Sequence, residues 1–143
     1  MENADLTLSS KGELMTIILL VGTGGFLGSI ARYLLSSWVQ RTAQDSWFPF
    51  GTMTVNIGGC LIIGLLAGLA ESRGILSPNS RAFLLVGVLG GFTTFSSFSY
   101  DTVSLLNGGR TFEALLNVAV QVLLGITATL LSYNLIQRIG SVK

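Results

Sequence analysis

The chain is 143 residues long, 50% hydrophobic and only 10% charged, with 18 glycines, one cysteine, no histidine and a formal net charge of +1. Soluble domains carry about 25% charged residues, so this balance, with a mean hydropathy of +0.69, excludes an ordinary soluble domain and describes an all-α integral membrane protein. Without imidazoles, and with Cys60 alone, His/Cys metal clusters and Cys/His or Ser/His/Asp catalysis are excluded; no Gly-Lys-Ser/Thr phosphate loop signals an ATP-driven pump, and the chain reads as a non-enzyme.

Four apolar runs follow one another, at approximately 14–38, 52–70, 82–106 and 113–136, each close to or above the roughly 20 residues that a spanning helix needs. They make one membrane domain, 1–143, with a polar tail at 1–13. The first run is too long for a signal-peptide core and lacks a small-residue cleavage site, so it reads as a retained span. The joins carry turn signals: Asp45 and Pro49 between the first two spans, Ser77-Pro78-Asn79 before the third, and Asn107-Gly108-Gly109-Arg110 before the fourth. Four spans place both termini on one side. That side collects Lys11, Arg73, Arg81, Arg138 and Lys143 against Arg32, Arg41 and Arg110 opposite, a weak positive-inside bias. A fixed orientation and insertion both ways stay equally open on charge alone.

In the first span Gly24 and Gly28 stand four residues apart, as do Gly64 and Gly68 in the second and Gly87 and Gly91 in the third. Such pairs let helix backbones approach closely and indicate a compact bundle more than any substrate. Arg32, toward the end of the first span, either snorkels to the interface or reaches a polar path. In the second span Thr52, Asn56 and Gly59 share one face, and in the fourth Asn117, Gln121, Gly125, Ala128 and Ser132 form a similar stripe. One amide alone is most simply interhelical glue. Cys60 reads as a small apolar residue.

The third span carries the chain's most informative stretch, Gly90-Gly91-Phe92-Thr93-Thr94-Phe95-Ser96-Ser97-Phe98. Hydroxyls and free backbone carbonyls are tolerated at membrane depth only where protein buries them or an ion path uses them, so the expectation is a helix broken at Gly90–Thr94. With that break, the amide stripes read better as a polar path. The acidic residues Glu13, Asp45, Glu71, Asp101 and Glu113 all fall at or near span ends, where none serves as the mid-membrane carboxylate of a proton-coupled carrier. Amides, hydroxyls and the electropositive edges of phenylalanine rings suit an anion. Carbonyls freed at the break suit a hard cation such as Na⁺; a kink satisfied by Ser/Thr side chains or water accounts for them equally well.

Three motifs in order, Gly24-Gly25-Phe26-Leu27-Gly28-Ser29-Ile30-Ala31-Arg32-Tyr33, Gly51-Thr52-Met53-Thr54-Val55-Asn56-Ile57-Gly58-Gly59 and the third-span stretch, resemble the small fluoride channels called Fluc or CrcB. The resemblance covers all four spans. It implies an antiparallel, dual-topology homodimer in the cell membrane, passing fluoride passively through two pores, binding no nucleic acid and holding one structural Na⁺ at its centre. It assigns the Na⁺ to the carbonyls of Gly90 and Thr93. It assigns the fluoride path to Asn56, Phe95, Phe98, the hydroxyls of Ser96 and Ser97, and Arg32. Asn117, also counted as a pore residue, and Gln121 stand where some relatives would carry Tyr and Ser, and the polar tail is longer than many members have. Two other readings compete: a small multidrug-type exporter, which would need Glu13 as its embedded carboxylate, and a non-transporting membrane scaffold.

Overall fold

The computed structural model describes residues 2–44 and 46–141; Met1, Asp45 and Lys143, which the sequence reading used in the tail, a join and the charge tally, lie outside the described residues. Helix α1 is Glu2–Thr42 and α2 is Phe50–Arg73. The third span begins as α3 (residues 78–92), continues as α4 (Phe95–Asn107), and is followed by α5 (Thr111–Ser141). Four segments are long and apolar enough to cross a bilayer: Lys11–Thr42, Phe50–Ser72, Pro78–Asn107 and Thr111–Gly140. The protein is therefore a multi-pass membrane protein. Every helix overruns its apolar run, because a helix satisfies its own backbone and has no reason to stop at the hydrocarbon boundary. The polar tail is the clearest case. It is helical from Glu2, so α1 measures about 60 Å at ~1.5 Å per residue.

The helix ends follow local chemistry. Gly74, at φ 60°, caps α2 in the left-handed conformation that costs glycine nothing. Ser77 caps the start of α3 by accepting from the Ser80 amide at 3.1 Å, with Pro78 at the first helical position. The join between α1 and α2 is closed by Gln40, whose amide donates to the carbonyls of Ser46 and Phe48 and accepts from the Gly51 amide at 3.1 Å.

The third span departs from a regular helix twice. Ala82–Leu89 winds as a π-helix, a feature the sequence reading did not anticipate and one that recurs at functional sites. Gly90–Phe92 then returns to α-helix. The break itself is the pair Thr93–Thr94, both extended, inside the expected window Gly90–Thr94. The two glycines of that window are thus helical, and one serves packing: a Cβ on Gly91 would lie 2.5 Å from the Gly25 carbonyl oxygen. Gly24 is as confined, 2.6 Å from the Phe83 carbonyl oxygen.

These close approaches seat α1 on α3, while α2 packs chiefly on α5, and α1 also meets α2. Gly64 lies under Ser132 and Thr129 of α5, and the Thr129 hydroxyl donates to the Cys60 carbonyl at 3.0 Å. Helix α4 leans on α5 and touches little else. The interior is small. No more than 28% of any spanning window is buried within the subunit, and Leu14, Ile18, Leu34, Leu115, Leu123 and Leu131 all face outward.

Candidate ion-conduction site

The break would leave the Thr94 backbone unpaired, and one side chain resolves this. Asn56 of α2 accepts from the Thr94 amide through Oδ1 at 2.9 Å and donates from Nδ2 to the Thr94 carbonyl at 3.2 Å. The same Nδ2 donates to Gln121 Oε1 at 2.7 Å; Gln121 Nε2 donates to Asn117 Oδ1 at 2.8 Å; Asn117 Nδ2 donates to Thr102 Oγ1 at 2.9 Å. Thr102 Oγ1 ends the series by donating to the Phe98 carbonyl at 2.8 Å. Polar groups from α2, α4 and α5 are thereby joined around the break, as burial in a low dielectric demands.

Two clefts meet at Thr94. The first, about 360 Å³, is lined by Asn56 and Cys60 of α2, Leu89 and Gly90 of α3, Thr93 and Thr94, Phe95 and Phe98 of α4, and Gln121 of α5, with apolar atoms forming most of its wall. The rings of Phe95 and Phe98 lie 5.5 Å apart at 51°. Phe95 is 79% exposed. The second is a polar furrow between α1, α2 and α4. Its inner part carries Ser29, Arg32, Ser36, Thr52, Thr94 and Ser97. Ser36 and Thr52 also line the next part, which reaches Gln40, Trp47 and Asp101, and Trp47 and Asp101 line the outermost part with Ser104 and Arg110. Arg110 stacks its guanidinium over the Trp47 ring at 4.1 Å, a cation–π contact. Arg110 Nη1 and Asp101 Oδ2 are both buried with no hydrogen-bond partner among the described residues.

The predicted residues divide between these places. Asn56, Phe95 and Phe98 line the cleft, and Arg32 and Ser97 the furrow. Ser96 is exposed and within hydrogen-bonding distance, 3.2 Å, of the Thr94 hydroxyl, and it lines neither cleft. Asn117 is 0% exposed and lies behind the cleft wall. Thr94 caps α4, taking the Ser97 amide at 3.2 Å on its hydroxyl. Phe92, the remaining phenylalanine of the motif, packs beside Gly59. Gly90 and Thr93 both line the cleft. Among the described residues no backbone amide bonds their carbonyls, since the Thr93 amide goes to Leu89, the Thr94 amide to Asn56 and the Ser97 amide to the Thr94 hydroxyl.

Sequence reading passed over Thr102 and the outer furrow. Thr102 could have been found, since it stands one turn after Phe98 and its hydroxyl returns to that carbonyl. Trp47, Asp101 and Arg110 come from separate parts of the chain and carry no shared spacing. Asp101, counted near a span end, lies inside the third span in the furrow wall.

Comparison with known sequences places this geometry. The sequence model of "CrcB-like protein, Camphor Resistance (CrcB)" matches residues 19–133. A Sulfurovum protein called "Fluoride-specific ion channel FluC" is 44% identical over 123 residues, covering 86% of this chain and 95% of its own. Proteins of the same name from Thermus thermophilus and Methylobacillus flagellatus are 49% and 43% identical, covering 82% and 84% of this chain and 91% and 94% of their own. The matched region takes in the second and third spans whole and most of the first and fourth, and the chain belongs to the CrcB family.

Proposed function

We propose that this protein is a fluoride-selective channel of the cell membrane that passively exports cytoplasmic fluoride and lowers its toxicity. The observation that carries the reading is the position of Thr94, which lines both the hydroxyl-rich furrow and the phenylalanine cleft, so that one residue joins a polar approach to an apolar cleft. The name shared by the relatives supports it.

Fluoride is small and strongly hydrated, so a pore must replace water with donors while holding the ion weakly enough to release it. In the furrow Arg32, Ser97 and Thr52 supply charge and hydroxyls. Past Thr94 the ion meets Phe95 and Phe98, whose tilted rings offer electropositive edges and exclude water. A larger anion, with less charge per unit of surface, gains less from the same donors and ring edges. Among the described residues no carboxylate lines the cleft, which suits passive conduction over proton exchange.

The functional unit in this reading is an antiparallel homodimer in lipid. A subunit with so little interior, and with Phe95 79% exposed, has an unfilled cleft wall that a second copy supplies. The unpaired carbonyls of Gly90 and Thr93 fit a structural Na⁺, because oxygen dipoles with no other partner are the donors that hard cations take. Two oxygens do not fill such a shell, and a symmetry-related pair doubles them. Bound there, the ion supplies a fixed positive charge beside the break. The exporter alternative loses its support, since Glu13 is exposed at the start of the first span and lines neither cleft.

The test is efflux from liposomes loaded with potassium fluoride or potassium chloride. Rapid valinomycin-dependent release of fluoride with no release of chloride is the expected result. A folded protein that releases neither ion sinks the channel reading in favour of a scaffold.

A further inference from the structure

We propose that Gly59 is the positioning residue of the break: the side chain it lacks leaves a notch in α2 that seats the Thr93 methyl and so aims the Thr93 carbonyl. What the carbonyl is aimed for rests on the Na⁺ reading above; how it is held rests on geometry alone.

Thr93 is gripped on two sides. Its N–H and its hydroxyl both donate to the Leu89 carbonyl, at 2.9 and 3.0 Å, so its χ1 is set from α3. The methyl is the branch left to face α2, and it lies where a Cβ of Gly59 would stand. Gly59 is buried and lines the cleft beside Thr93. The same Cβ would also lie 3.5 Å from Phe92 Cδ1 and 3.7 Å from Thr93 Cβ. A β-branched side chain has few χ1 wells to escape into. Turning the methyl away carries the hydroxyl off Leu89, and keeping the hydroxyl in place forces the Thr93 backbone back from α2. A Cβ on Gly58, the neighbouring glycine, meets nothing within 4 Å, so the notch belongs to one residue of the pair.

What this seat controls follows from the planarity of the peptide bond. Among the described residues no peptide bond is cis, and a trans peptide group carries its N–H and C=O on opposite sides. The Thr93 carbonyl and the Thr94 N–H belong to one such group. With that N–H given to Asn56 Oδ1 at 2.9 Å, the Thr93 carbonyl is turned away from α2. Asn56 and Gly59 are three residues apart on one helix face. One holds the amide end of the group, and the other seats the residue that carries the carbonyl. Helix α2 thus offers no oxygen to the candidate cation site and still sets the aim of one of its donors. Oxygen ligands serve a hard cation only at close range, about 2.3–2.6 Å for Ca²⁺, so a retreat of Thr93 from α2 is felt as lost affinity.

The experiment reads Na⁺ through stability. The melting temperature of the purified protein in detergent is followed as NaCl replaces N-methylglucamine chloride at constant ionic strength, with fluoride efflux from liposomes read beside it. Wild type should melt higher in Na⁺, as binding to the folded state alone requires. Gly59→Ala should raise the half-effect Na⁺ concentration about tenfold, the consequence of one misplaced oxygen donor, and should slow efflux; Gly58→Ala should change neither. Gly59→Ala combined with Thr93→Ser separates positioning from packing, because serine keeps the hydroxyl for Leu89 and lacks the methyl. Both readouts should return to within roughly twofold of wild type in that double variant, whereas a glycine needed only for helix packing gives no such rescue. A Gly59→Ala protein that does not fold is rescued by the same second substitution if the notch is as described. A wild-type half-effect concentration with wild-type efflux in Gly59→Ala, or a double variant as impaired as the single one, overturns the assignment. A wild type whose melting temperature ignores Na⁺ refutes the cation reading instead; efflux lost in Gly59→Ala and regained in the double variant then still establishes the seat.

Discussion

The cleft and the furrow share Thr94 and almost nothing else. The furrow draws its wall from α1, α2 and α4 and is rich in hydroxyls, with Arg32 near Thr94 and Asp101 and Arg110 farther out. The cleft takes no residue from α1; its wall comes from α2, α3, the break, α4 and α5, and is mostly carbon. Furrow hydroxyls that satisfy their own helix, as Ser36 does with the Tyr33 carbonyl, cost little at membrane depth. An apolar wall has no donors to offer an ion and needs them placed one at a time. That is why a chain of three amides, two of them in the wall and Asn117 behind it, serves the cleft, while among the described residues none of comparable length serves the furrow. The difference teaches that approach and selection are built from separate helices and can be damaged separately.

The largest expected effect comes from removing what joins the two. Asn56→Leu leaves the Thr94 N–H and carbonyl both unpaired, each at a cost of about 1–3 kcal/mol, and frees Gln121. Fluoride efflux should vanish and the melting temperature in detergent should drop; a variant that keeps its wild-type melting temperature would show that the break does not depend on this clamp. Phe95→Ile should strike the cleft alone. Because Phe95 is mostly exposed in the subunit, thermal stability should hold while fluoride efflux falls about tenfold, equal to about 1.4 kcal/mol at the barrier. A parallel fall in stability would mean that the ring is packing rather than path.

Gly91→Ala tests the other partition. Its Cβ would press on the Gly25 backbone, which cannot yield without moving α1, the helix that walls only the furrow. We expect a loss of about 1–3 kcal/mol, the usual cost of overpacking, seen as a lower melting temperature, with Gly22→Ala, which meets nothing within 4 Å, as the silent control. Equal melting temperatures for the two variants would contradict the close seating of α1 on α3. The smallest effect is predicted for Arg110→Gln at the outer furrow. Fluoride efflux should drop roughly twofold near 10 mM salt and match wild type near 1 M, where screening confines charge effects to about 3 Å. A loss independent of salt would place Arg110 in the ion's direct path.

Much of this was legible from one dimension. Composition and run length sufficed for four membrane helices, because lipid demands about 20 apolar residues per crossing whatever the partners. Glycine spacing announced close helix contacts, and Gly24, Gly64 and Gly91 make them. The break was legible because Thr-Thr beside glycine and serine has no purpose in a lipid-facing helix. Its position within that window was not, since Gly90 and Gly91 are as permissive as the threonines; the choice of Thr93–Thr94 depends on Asn56 arriving from α2 to satisfy an extended Thr94. The π-helix was equally hidden, because Ala82–Leu89 is uniformly apolar and carries no local signal for that winding.

Residue types and their spacing suffice for a four-span membrane protein with a polar interruption in its third span and amides on its second and fourth. Those properties depend on residue type and on periods of a few residues, which one helix expresses alone. Helix packing alone shows which amide holds the break, and that Arg110 lies over Trp47 at the end of a furrow leading to Arg32. Hydrogen-bond direction is a property of the closed set of partners, and that set exists only once four helices have met.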